Sequence, residues 1–168
     1  MTYSNTAYPA LEPGQIIPAF SLPGPDGMPH SPWDYKQREH LILLFIQSAQ
    51  STSANGAREL LREFANHYAD FREETCALLA ITADPVINNL QAQEELQLPF
   101  PLLSDPQGNV IARYTRWDQS AHKLTPAIVL ADRYGALYEQ RIAENEAELP
   151  TNTVLLESLQ YLNKLCTP

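Results

Sequence analysis

The strongest side-chain nucleophile near neutral pH is a thiol, and this 168-residue sequence has two, Cys76 and Cys166. Cys76 opens the apolar run CALLAIT, where a thiol behaves as a small inert hydrophobe. Cys166 stands near the end of the sequence with no partner placed by spacing. Two cysteines make no disulfide framework, and no Cys/His group has zinc spacing, so neither a metal nor a cofactor is expected. The densest run of small polar residues is Gln47 to Gly56, QSAQSTSANG, with Ser51, Thr52 and Ser53 at its centre. A serine nucleophile needs a base, and the base needs an orienting group. His122, three residues before Thr125, is the candidate base, but no spacing fixes the geometry, and serines entering a helix are usually caps. His30, His40 and His67 are scattered and read as solvated.

The elements around that polar run give it its meaning. Leu41 to Phe45, with Ile46 behind, form an apolar run that reads as a strand buried on both faces. A helical pattern begins at Ala57. In open α/β sheets, ligands and reactive groups sit where the chain leaves the carboxyl end of a strand. The helix N-terminus that follows offers free N–H groups and a positive dipole end. A cysteine there would be activated, and this loop has none.

Composition narrows the function classes. The formal net charge of -9 disfavours nucleic acid and anionic membrane surfaces as partners. No apolar run is long enough to span a bilayer. The opening MTYSNTAYPALEPG lacks the basic start and apolar stretch of a signal peptide, so a cytoplasmic location is expected. With 44% hydrophobic and 18% charged residues, the chain reads as globular. Residues 1–12 form a polar arm, and residues 13–168 one domain.

Along the chain, Pro18 to Leu22 reads as a short extended segment, and Asp26-Gly27 as a hairpin turn. Leu60, Leu61, Phe64, Tyr68 and Phe71 predict one amphipathic helix over 57–72. Cys76–Thr82 is a second buried strand. Asp84-Pro85 reads as an N-cap followed by proline at the first helical position, for a helix to about Leu98. Leu102-Leu103 is a short strand, and Asp105-Pro106 opens a further helix to about Tyr114. Strands at Ala127–Asp132 and Ala136–Ile142 form a hairpin, and a last helix covers about Thr151 to Leu165. The βαβ start demands a right-handed parallel crossover, so a mixed α/β sheet flanked by helices is expected.

Four pieces in this order resemble the peroxiredoxin group of the thioredoxin-like redoxins, the alkyl hydroperoxide reductase and thiol-specific antioxidant family. They are Pro13-Gly14 with Pro18 to Leu22 and Asp26-Gly27, the strand Leu41–Ile46, FPLLSDPQG at Phe100–Gly108, and TPAIVLADRYG at Thr125–Gly135. The resemblance covers roughly residues 11–165 and implies a thioredoxin-like fold with an N-terminal hairpin.

It also implies a peroxidatic cysteine near Ala54; a slip of a few residues meets Ser53, Asn55 or Gly56, none a cysteine. The hydroxyl expected three residues earlier matches Ser51. An arginine should stand by the reactive sulfur, but the matching segment holds Lys123, Leu124, Thr125 and Pro126, leaving Arg113 and Arg116 as candidates. In thioredoxin folds the proline matching Pro126 is cis and faces the loop; the plainer reading is that it only shapes the start of a hairpin. The favoured reading is a non-catalytic binding or regulatory member of this antioxidant family. It takes a protein or small polar ligand at Ser51, Thr52, Ser53, Ala54, Asn55, Thr125 and Pro126. The alternative is a thiol-dependent peroxidase using Cys76 or Cys166. Relatives of this kind often dimerise, so a homodimer accords with the resemblance.

Overall fold

The computed structural model describes residues 9–165. A hairpin of β1 (Leu22–Pro23) and β2 (Pro29–His30) precedes β3 (His40–Phe45). Helices α1 (Ala57–Asn66) and α2 (Tyr68–Glu73) lead to β4 (Cys76–Thr82), and α3 (Val86–Leu96) to β5 (Leu102–Ser104). Then come α4 (Ile111–Tyr114), a small hairpin of β6 (Trp117–Asp118) and β7 (Lys123–Leu124), strands β8 (Ala127–Ala131) and β9 (Leu137–Ile142), and α5 (Asn152–Leu165).

The main sheet has the order β5-β4-β3-β8-β9. Strands β3, β4 and β5 are parallel, while β8 and β9 are antiparallel to their neighbours. This is the mixed α/β sheet that the sequence predicts. Every residue of β3 and β4 is buried because both faces are covered. Alternation divides them: Ile42 and Leu44 join Leu61, Phe64, Leu155 and Leu159 in one cluster, whereas Leu41, Leu43 and Phe45 join Phe20, Ile111 and Tyr114 in the other.

The N-terminal hairpin turns at Gly27, whose φ of +75° suits glycine. Asp26 Oδ1 accepts the Met28 N–H at 3.0 Å, and that bond, with His30 beside it, holds the Asp26 carboxyl below the usual range. Of the proposed arm, residues 1–8 lie outside the described residues; Leu11 N–H donates to Gln140 Oε1, and Gln140 Nε2 donates to the Pro9 carbonyl, each at 3.0 Å.

Five expectations need correction. The helix over 57–72 is interrupted at His67, whose φ and ψ of -104° and 6° leave the helical region, although Phe64 and Phe71 still pack at 5.7 Å. The helix after Asp105 does not begin there: Asp105 Oδ2 instead accepts the N–H groups of Val110 and Ile111, at 2.9 and 2.8 Å, and only Ile111–Tyr114 is helical. Asp84 is not the N-cap of α3; Pro85 holds that position with extended backbone. His40 is fully buried rather than solvated, because it opens a strand covered on both faces. No described peptide bond is cis, Thr125–Pro126 included. Extended entry into β8 is held there by bonds from Thr125 N–H to Arg116 O, Thr115 Oγ1 to Thr125 O, and Ala143 N–H to Pro126 O.

Candidate functional site

Beyond the carboxyl ends of β3 and β4 the backbone leaves the sheet, and the polar loop is fastened by its own side chains. Asn55 Nδ2 donates to the Ser48 carbonyl at 3.0 Å, and Asn55 Oδ1 accepts the Ala57 N–H at 3.0 Å, at the entry to α1. Gln50 Nε2 reaches the Asn88 carbonyl at 2.8 Å. Arg58 Nη1 donates to the Ala49 carbonyl at 2.9 Å and its Nη2 pairs with Glu95 at 3.0 Å. Gln47 N–H, where β3 ends, donates to Glu146 Oε1 at 3.0 Å, and Glu146 is buried.

Two adjoining clefts open over this frame. The smaller, about 190 Å³, lies between the loop residues Ser48, Ser53 and Asn55, the β4 exit at Asp84, and the hairpin residues His122 and Lys123. The larger, about 650 Å³, is bounded by Arg116, Trp117, Lys123, Thr125 and Glu144. Gln47, Lys123 and Leu124 line both. The β6–β7 hairpin forming the shared wall is seated by the Trp117 indole, which lies against Gly108 so closely that a Cβ there would fall 2.1 Å from Trp117 Cε2.

Within the smaller cleft, Ser48 Oγ donates to Asp84 Oδ2 at 2.7 Å. Asp84 stands one residue before the extended Pro85, outside the first turn of α3, and makes this bond across the cleft. His122 Nε2 donates to the Ala83 carbonyl at 3.1 Å, which assigns the proton of a neutral ring to Nε2. Its ring meets Trp117 edge-on at 5.0 Å. The Asp118 carboxyl is held below its ordinary range by the Ala121 N–H, then by the Ser120 hydroxyl. The clefts therefore offer carboxylates, amides, hydroxyls, a lysine and an arginine around one indole. Such a mixture suits a polar ligand.

Of the residues singled out from sequence, Ser53 and Asn55 line the smaller cleft and Thr125 the larger. Ser51, Thr52 and Ala54 are exposed on the loop, outside both linings. Pro126 is buried, with its carbonyl given to Ala143. Arg116 lines the larger cleft and lies 3.6 Å from Glu144, whereas Arg113 is exposed on α4 and lines neither. Sequence reasoning missed Ser48, Asp84 and Trp117. Position gave a signal for Ser48 and Asp84, which stand within three residues of the carboxyl ends of β3 and β4, and none for Trp117.

The thiols are far from this chemistry. Cys76 begins β4, beside His40 at the opposite end of β3, and is fully buried. Burial pushes its thiol far above the ordinary range. Cys166 lies outside the described residues. Among the described residues no group of His, Cys, Asp and Glu side chains could hold a metal, and no helix is long and apolar enough to cross a membrane.

A mixed sheet with this order, a hairpin before it and a cleft beyond its parallel strands defines a thioredoxin-fold redoxin. The solved structures agree. A crystal structure of peroxidoxin BcpB from Mycobacterium tuberculosis matches with a TM-score of 0.76 and 21% identity, over 94% of this chain and 100% of that one. The mitochondrial 2-Cys peroxiredoxin of Plasmodium falciparum matches with a TM-score of 0.77 and 18% identity, over 92% of this chain and 95% of that one. The AhpC/TSA family profile matches residues 13–140, and the chain belongs to that family. Among curated relatives, the Mycobacterium tuberculosis protein named "Putative peroxiredoxin Rv2521" is 31% identical over 113 residues, 67% of this chain and 68% of its own length.

Proposed function

We propose that this AhpC/TSA-family protein acts by binding and not by thiol peroxidase chemistry. Its ligand is a small polar molecule, or a polar segment of a partner protein, seated in the adjoining clefts over the 47–56 loop. The observation that carries this reading is a full family frame around a loop with no cysteine in it. Peroxide reduction by a thiol needs an accessible thiolate, because the thiolate attacks the O–O bond. Cys76 meets neither condition, being sealed in the sheet with its charged form strongly disfavoured. The reading holds for a monomer or a homodimer.

The test is a two-dimensional NMR screen of the reduced protein with small polar compounds: amino acids, sugars, nucleotides and carboxylic acids. Binding is expected to shift the amides of Gln47, Ser53, Asn55 and Lys123 together with the Trp117 indole. A screen without shifts there, alongside catalytic turnover of hydrogen peroxide, would overturn the reading.

A further inference from the structure

At the end of β3 away from the clefts, four elements meet on one side chain. His40 is fully buried, and its Nε2 lies 2.7 Å from Oδ1 of Asn163 in the last turns of α5. The same oxygen accepts Arg133 Nη2, from the turn between β8 and β9, at 3.3 Å. Asn163 Nδ2 donates to Glu74, where α2 ends, reaching the carbonyl at 3.0 Å and the carboxylate at 2.9 Å. Donors thus converge on the amide oxygen and acceptors on its nitrogen, which assigns the amide orientation. An oxygen that only accepts also assigns the proton of neutral His40 to Nε2, leaving Nδ1 as an acceptor. Buried Nδ1 has no hydrogen-bond partner, and neither has the buried Nε–H of Arg133.

We propose that His40, Asn163, Glu74 and Arg133 form an acid-sensitive latch that holds the last turns of α5 on the sheet and lets them go when His40 gains a second proton. The geometry gives that proton a poor place. It would turn Nδ1 into a buried donor without an acceptor and set a cation near the Arg133 guanidinium. The surrounding charges are Arg133 and Asp132 from the β8–β9 turn and Glu74 from the α2–β4 turn. Glu39, the preceding residue, is paired with Arg72. Cys76, across the parallel pair, is a neutral thiol, and α5 contributes uncharged Asn163, followed by exposed Lys164.

Burial is the largest influence and holds the imidazole below its ordinary range; Arg133 acts in the same direction, while the Asn163 bond, Asp132 and Glu74 oppose it. An unfolded histidine takes its proton near its ordinary value of about 6.5. Between that value and the lower folded one, the unfolded chain holds more protons, so stability falls as pH drops through the window. The latch is closed at neutral pH. Leu159 and Leu162 of α5 share a buried cluster with Ile42 and Leu130, so release uncovers apolar surface.

Amide hydrogen exchange on the whole protein tests this at about pH 7.5 and about pH 5, corrected for intrinsic rates. Protection of residues 159–165 is expected to drop by about tenfold on acidification. In His40→Gln, which keeps an N–H donor and does not titrate, the drop should vanish. A drop of equal size in that variant, or none in the native protein, overturns the proposal. Should His40→Gln not fold, NMR titration of the native imidazoles decides it. His40 is expected to stay neutral well below about 6.5, and titration at or above that value overturns the latch.

Discussion

At its first residue β3 is closed over by α5, the α2–β4 turn and the β8–β9 turn, with His40, Asn163, Glu74 and Arg133 engaging one another. Past its last residue the same strand runs into a loop whose side chains bond mainly to backbone, and clefts of about 190 and 650 Å³ open above it. The apolar segment between these ends is uniformly buried. The difference lies in what the polar groups are given to. At the closed end, side chains from distant elements bond one another around Asn163 and fix the docking of a helix. At the open end, side chains are given mostly to backbone groups, within the loop at Ser48 and Ala57 and from other elements at Gln47 and Ala83, and hydroxyl, carboxylate and ammonium groups face space a ligand can enter.

The largest effect is expected at the strand both ends share. Phe45 is fully buried and stacks on Tyr114 with ring centroids 5.1 Å apart. Phe45→Ala should cost about 3–5 kcal/mol in urea unfolding. A loss under about 1 kcal/mol would show that the strand is not the common support. Next is Asn163→Ala, which removes partners of His40, Arg133 and Glu74 together; about 2–3 kcal/mol is expected, with cleft amide shifts unchanged. Changes at Ser53 or Lys123 would mean that the two ends are coupled.

At the open end, Gly108→Ala must push Trp117 away and place a Cβ at a φ of +74°, so the β6–β7 hairpin should lift at a cost of about 1–2 kcal/mol. Trp117 emission should shift while stability falls; an unchanged spectrum would show that the indole does not seat the hairpin. The smallest effect is expected for Ser48→Ala, about 0.5–1 kcal/mol, since the half-buried Asp84 carboxylate can turn to water. A larger loss would make Ser48 a structural keystone, not a cleft lining.

The strands of the main sheet and the N-terminal hairpin were legible because their signals are local, whereas the two-residue strands β6 and β7 gave none. Leu41–Ile46, CALLAIT and AIVLA are unbroken apolar runs, and Asp26-Gly27 marks its own turn. The interruption at His67 was hidden because the apolar spacing from Phe64 to Phe71 runs across it. Asp105 and Asp84 both precede prolines and both look like helix caps, yet one bonds Val110 and Ile111 and the other takes a hydroxyl from Ser48, 36 positions away. At the site, the loop was readable as the chain's exit from a strand. Its opposite wall was not, because Trp117 is set by a glycine from another turn. His40 shows the same limit: composition puts a histidine at the surface, and only the covering of β3 on both faces puts this one inside.

Thiol chemistry is tested by mixing fully reduced protein with hydrogen peroxide in a stopped-flow instrument and quenching for mass spectrometry of Cys76 and Cys166. Binding without thiol peroxidase chemistry predicts that Cys76 stays unmodified while the protein is folded, and that Cys166 oxidises no faster than free cysteine. Rapid formation of a single sulfenic acid at either cysteine would contradict it and reveal an activated thiol outside the 47–56 loop.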